Sequence, residues 1–248
     1  MKSKTKMIII LCFSLGTSVP GMAQSEAEAM TYQAYLTTNK SLWKQSVETL
    51  QGEYSTDGSN ERLYQLTLAE HGLLNATMVD QDETLFDQHY KKAKKNLETL
   101  IEAGYQEGHA RALLSSVYGM EMGYSSWKGM FLGAKSGSNL EKAKKLSPTS
   151  PLVWQVYANS KLFTPAMFGG DVQEAVEAFE KSVELYEAGQ GSTRSNWRYL
   201  DALAWLGQAY QKTGKTAQAR ETYEKALEIE PGFGWVKFVL LPNVKPGQ

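Results

Sequence analysis

LDALAWLGQAYQKTGKTAQARETYEKALEIEP, running from Leu200 to Pro231, decides how this chain folds. With Leu200 as position 1, large apolar side chains fall at Leu203, Leu206 and Tyr210, and small ones at Gly207, Ala219 and Ala226. Spacings of three and four place such residues on one stripe of an α-helix. Two antiparallel helices approach closely only where small residues sit at the crossing and larger ones fill the seam beside them. Thr213-Gly214-Lys215 supplies the turn, Gly214 being suited to a left-handed helix end. Pro231 stops the second helix, because the residue ahead of a proline is pushed out of helical geometry.

The frame recurs upstream. Trp154, Tyr157, Ala158 and Lys161 take positions 4, 7, 8 and 11, and Ala175, Phe179 and Ser182 take 20, 24 and 27, with a five-residue insertion within Phe163 to Gly170. Tyr118, Gly119 and Met122 match positions 7, 8 and 11 of an earlier unit, while Leu140, Ala143 and Pro148 match 24, 27 and 32. His71, Gly72 and Asn75 fit poorly, although Tyr90 and Ala93 resemble positions 24 and 27. Residues 26–55, with Trp43 and Val47, make a divergent opening pair, and the repeats run from about 60 to 231. Residues 232–241 are expected to form a short capping helix that lays Trp235, Phe238 and Val239 over the last pair, since a bare terminal face is a solubility problem. The expected fold is all-α: one solenoid domain over 24–248, built from four to five antiparallel helix pairs plus the cap.

In residue type, Leu203, Leu206, Gly207, Tyr210, Ala219, Tyr223, Ala226 and Pro231 resemble the tetratricopeptide repeat (TPR), and a looser likeness covers about residues 60–242. KGMFLGAKS (Lys128 to Ser136) and PAMFGGD (Pro165 to Asp171) resemble stretches in a group of exported Gram-negative TPR proteins. The second is also similar to the periplasmic TPR subunit of some TRAP solute transporters. The resemblance implies an envelope location and a binding role, and names no substrate. The sequence departs from the transporter subunit in having no lipobox cysteine in the expected place.

The N-terminus agrees with export. Lys2, Lys4 and Lys6 precede a mostly apolar run of 13 residues, Met7 to Val19; Pro20 breaks it, and Gly21-Met22-Ala23 offers small residues for cleavage before Gln24. These are the parts of a secretory signal peptide over 1–23. The run is shorter than the roughly 20 residues a membrane-spanning helix needs. Five apolar residues precede Cys12 and the run continues beyond it, a poor context for lipidation. Losing 1–23 takes Lys plus Arg from 26 to 23 against 27 acids, so the net charge moves from −1 to −4. That mild acidity argues against nucleic acid as a partner. Cys12 is the sole cysteine, so the mature chain is held by packing without disulfides. No second long apolar segment predicts an integral membrane span after cleavage, and the expected location is periplasmic or secreted.

Candidate sites compete with structural roles. Gly129, then Ala134-Lys135-Ser136, is one substitution from a phosphate-binding loop, but alanine replaces the second glycine and no strand precedes it. An irregular inter-helix loop is expected there, with Lys128 and Lys135 able to hold a small anion. Asp171, after two glycines, suits an N-cap, and the insertion before it projects Phe163 and Phe168 as loop contacts alongside Trp127. His71, His89 and His109 lie 18 and 20 residues apart, without metal-ligand spacing. No catalytic constellation, metal site or cofactor motif emerges. Positions 2, 5, 9 and 12 of each first helix point toward the concave face, where TPR partners usually lie. They select Ser116, Met120, Gln155, Asn159, Asp201, Ala204, Gln208 and Gln211. The lining is polar and nearly neutral. The expected function is a non-catalytic scaffold binding an envelope protein or peptide there; the alternative is a solute-handling subunit enclosing a small-ligand pocket.

Overall fold

The computed structural model of the chain describes residues 26–189 and 195–244, so the signal peptide expected over 1–23 lies outside the described residues. The described residues form five helical hairpins in tandem and contain no strand. They are α1 (Glu26–Leu36) with α2 (Lys40–Asp57), α3 (Asn60–Asp80) with α4 (Glu83–Glu102), α5 (Glu107–Tyr124) with α6 (Gly129–Leu146), α7 (Pro151–Phe163) with α8 (Val172–Ala188), and α9 (Trp197–Lys212) with α10 (Thr216–Ile229).

Local chemistry sets the helix ends. Asn39, Ser59, Asp82, Ser150, Asp171 and Asn196 cap with side-chain oxygens that accept backbone N–H groups of the first turn. Gly58 ends α2 with φ 68°, a left-handed conformation that glycine adopts without strain.

Packing follows the small-residue frame at the C-terminal end. A methyl on Gly207 would lie 2.2 Å from the Tyr223 ring, so α9 and α10 meet there in direct contact. Ala219, Tyr223 and Ala226 are fully buried. In α8, Ala175, Phe179 and Ser182 are fully buried, and Ser182 Oγ donates to the Pro151 carbonyl at 2.8 Å. Two positions depart from the frame. Gly119 faces open space and is no crossing point. The buried Ser115, one turn earlier, meets Ser136 of α6 instead, Oγ to Oγ at 2.9 Å. Conversely, Gly72 is tightly enclosed: a methyl there would lie 2.2 Å from the Trp43 ring of α2.

The cap also differs. Residues 236–240 form a single π-helical turn followed by a 3-10 turn over Leu241–Asn243. Phe233, Val236 and Leu240 are the side chains buried here, while Phe238 and Val239 face solvent and Trp235 is half-buried. The wider π turn shifts the apolar stripe, and the expected coverage by Phe238 and Val239 does not occur.

The first helices of the pairs, α1, α3, α5, α7 and α9, form an inner layer in which each touches its neighbours, and α1 touches α9. The layer is therefore a closed ring. Aromatic contacts seal it: the Tyr35 ring lies 5.2 Å from Trp197 and 5.4 Å from Phe233, and Trp197 lies 5.2 Å from Trp43. Like ends of the inner helices share an edge, as Tyr64 with His109 near two N-termini and Tyr124 with Thr77 near two C-termini show.

Candidate functional site

Two of the predicted inward positions, Asp201 and Gln155, bond each other directly. Asp201 is buried; its Oδ1 accepts from Tyr35 Oη at 3.0 Å and Trp205 Nε1 at 3.1 Å, and its Oδ2 from Gln155 Nε2 at 2.7 Å. Removal from water pushes the Asp201 carboxyl up to about 6, partly offset by those donors and by Arg198. Gln155, also buried, accepts from Tyr186 Oη at 3.1 Å. Ser116 bonds His71 Nε2 at 2.9 Å, Gln211 accepts from Tyr223 Oη at 3.0 Å, and Met120 and Ala204 are buried. Asn159 and Gln208 are half-buried, with Asn159 Oδ1 and Gln208 Nε2 unpartnered. The chain's own α1 lies against α9 beside these residues.

Sequence reasoning missed four contributors to this interior. His71 is buried, and Tyr64 Oη lies 2.7 Å from His109 Nδ1. Arg198, next to the buried Trp197, is the cation among them. Only the pairing of Tyr32 with Tyr35, three residues apart on the opening helix, signalled a buried face that needed a partner.

A second surface faces outward. After α5, a 3-10 turn over Ser126–Lys128 leads directly into α6 at Gly129. The expected irregular loop is helix from Gly129 onward. Lys128 Nζ instead bonds Glu121 at 3.0 Å, which raises its pKa, and Lys135 projects exposed from α6. The turn displays Trp127, Met130 and Phe131, 61 to 82 per cent exposed. After α7, a 3-10 turn over Ala166–Phe168 displays Phe163, Met167 and Phe168, 59 to 82 per cent exposed. Gly170 is required there, since a methyl would lie 1.7 Å from the Thr164 carbonyl oxygen. Asp171 then caps α8, its Oδ1 accepting from Gln173 N at 2.8 Å and Glu174 N at 3.0 Å. Phe163 is anchored edge-on to Trp205 at 4.9 Å. Both turns follow inner-helix C-termini and so share one edge of the array.

Two shallow clefts, of about 360 and 210 Å³, lie elsewhere, lined by residues such as Tyr157 and Lys144 or Tyr210 and Leu206. Neither involves Trp127, Phe163 or Phe168. Among the described residues no group of acidic, histidine or cysteine side chains could hold a metal ion, and no helix is long and apolar enough to cross a membrane.

A tetratricopeptide-repeat family profile matches residues 200–233. The chain is similar in structure to the HusA haemophore from Porphyromonas gingivalis, with a TM-score of 0.62 at 21% identity over 78% of this chain and 96% of that one. It is also similar to a thermophilic TPR protein from Thermus thermophilus, TTC0263, with a TM-score of 0.56 at 17% identity over 84% and 92% of the two chains. No curated protein sequence matches the chain. At these identities the likenesses speak to architecture. The chain folds as an all-α TPR solenoid with a TPR repeat at its C-terminal end.

Proposed function

We propose that this chain is an exported, non-catalytic TPR scaffold that docks another envelope protein through the aromatic edge. The observation that carries the reading is the exposure of six large apolar side chains on or beside the two 3-10 turns that follow α5 and α7: Trp127, Met130, Phe131, Phe163, Met167 and Phe168. Clustered exposed apolar side chains mark interaction sites, and aromatics and methionine are enriched at interface centres. On the inner face Asp201 is already engaged by Tyr35, Trp205 and Gln155, which leaves its carboxylate less free for a partner. The charged, apolar and small-residue segments of residues 1–23 support export.

The test is capture from envelope extract on the immobilised protein, comparing wild type with Trp127→Ala/Phe168→Ala. The proposal expects a protein retained by wild type and reduced more than tenfold by the double variant, with unchanged melting temperature. Equal retention by both would overturn it. Haem is titrated in parallel, because one similar fold is that of a haemophore. A Soret shift lost in the same variant would assign the edge to a flat apolar ligand in place of a protein.

A further inference from the structure

Sulfur stands at the most exposed points of the aromatic edge. Met130 and Met167 are each 82 per cent exposed, more than any other large apolar side chain among the described residues. Met167 lies in the 3-10 turn after α7, and Met130 is the second residue of α6, just past the 3-10 turn that follows α5. Each begins a Met-Phe dipeptide, Met130-Phe131 and Met167-Phe168, whose phenylalanine is exposed as well. The other described methionines are shielded: Met120 is buried in α5, and Met30, Met78 and Met122 are half-buried. No thiol competes for an oxidant among the described residues, since Cys12 is the sole cysteine and lies in 1–23.

A thioether is oxidised only where its sulfur lone pair can reach the oxidant, so exposure selects the target. Methionine becomes its sulfoxide, which replaces a flexible apolar side chain by a polar one and disrupts methionine-rich contact surfaces. On the free edge, water satisfies the new oxygen. Beneath a docked partner water is excluded, and Phe131 and Phe168 offer it no donor. An acceptor buried without a donor costs free energy, and that cost falls on the docked state alone.

We propose that Met130 and Met167 are sites of reversible oxidation by hydrogen peroxide, which turns the edge from apolar to polar and releases what it docks. The release, though not the oxidation itself, rests on the docking reading of this edge. A sulfur lone pair attacks one peroxide oxygen; the S–O bond forms as the O–O bond breaks, and the second oxygen leaves as hydroxide and takes up the proton to depart as water. Sulfur gives up two electrons and the peroxide receives them. A methionine sulfoxide reductase reverses the change with two electrons from a dithiol, which becomes a disulfide while the oxygen departs as water. Both side chains project from the fold, so the scaffold keeps its packing in either state.

The experiment exposes the purified protein to hydrogen peroxide and follows each methionine by peptide mass mapping. Met130 and Met167 should gain one oxygen at least tenfold faster than Met30, Met78, Met120 and Met122, with the melting temperature unchanged. Retention on immobilised phenyl groups reads the apolarity of the edge without any partner. Peroxide should lower that retention for the wild type and not for Met130→Leu/Met167→Leu, which is apolar at both places and has no sulfur there. Reductase with dithiothreitol should restore the wild type. Oxidation spread evenly over these methionines, or phenyl retention unmoved once both are oxidised, would overturn the proposal. For a protein captured from envelope extract, the ratio of treated to untreated affinity should fall more than tenfold for wild type and stay at one for the leucine variant. Equal capture by oxidised and reduced wild type would overturn the release and leave docking standing. Loss of phenyl retention with no protein captured in either state would overturn docking and support the two oxidation sites.

Discussion

Gly207→Ala and Gly119→Ala exchange the same atoms at positions that look alike in sequence, yet the structure gives them opposite outcomes. A methyl on Gly207 would meet Cε1, Cζ and Cδ1 of Tyr223 at 2.2, 2.6 and 2.8 Å. That ring is fully buried and its hydroxyl is tied to Gln211 at 3.0 Å, so it has little room to yield. Overpacking of this kind costs about 1–3 kcal/mol. Alanine recovers roughly 0.5–1 kcal/mol of helix propensity, which leaves a net loss of about 1–2 kcal/mol. Gly119 has nothing within 4 Å of the added methyl, so it keeps the propensity gain alone. At about 2–4 °C per kcal/mol for a domain of this size, Gly207→Ala should melt roughly 2–8 °C lower and Gly119→Ala about 1–4 °C higher. The assay is thermal unfolding followed by circular dichroism at 222 nm. Two variants shifting in the same direction, or Gly119→Ala melting lower, would refute the assignment of the helix crossings.

Gly72→Ala should behave like Gly207→Ala and lower the melting temperature, since its methyl would strike the buried Trp43 ring at 2.2 Å. Leu206→Ala, removing a buried side chain between α9 and its neighbours, should cost about 2–5 kcal/mol in denaturant unfolding. Asp171→Ala removes two accepted backbone N–H bonds at the start of α8 and should cost about 0.5–2 kcal/mol in the same assay. Burial lifts Glu70 to about 7, opposed by Asn96 Nδ2, which bonds both its oxygens at 2.9 and 3.0 Å. Its folded pKa therefore exceeds its unfolded one, the native state binds the extra proton, and stability falls as pH rises from about 4.5 to 7. Glu70→Gln should flatten that part of the stability–pH curve, read by denaturant midpoints; an unchanged slope would place the titration elsewhere.

The C-terminal hairpin was legible in sequence because its crossing contacts lie within one repeat. Gly207 against Tyr223 is a separation short enough for a fixed period to expose. The frame failed on α5, where it selected Gly119 and missed Ser115. Positions four apart share one helical stripe, so a slip of one turn keeps apolar and small residues in plausible places. Tyr118 shows the slip: it lies under Lys94 of the preceding pair, as Tyr210 donates to Glu180 of its own preceding pair. Gly72 against Trp43 escaped notice for a different reason, being a contact between pairs rather than within one. Ring closure could not be read at all. Tyr35 and Asp201 are 166 residues apart, and no local period carries a contact at that range. That contact brings the opening helix against the last pair, which the repeat frame alone did not anticipate. The exposed turns were partly visible, since Trp127, Phe163 and Phe168 stood out as aromatics beside glycines.

The most direct measurement is the affinity of the captured partner for three proteins: wild type, Trp127→Ala/Phe168→Ala, and Asn159→Asp/Gln208→Glu. The account predicts that the edge variant loses more than tenfold while the inner-face variant binds as wild type does. Loss confined to the inner-face variant, with the edge variant intact, would contradict it.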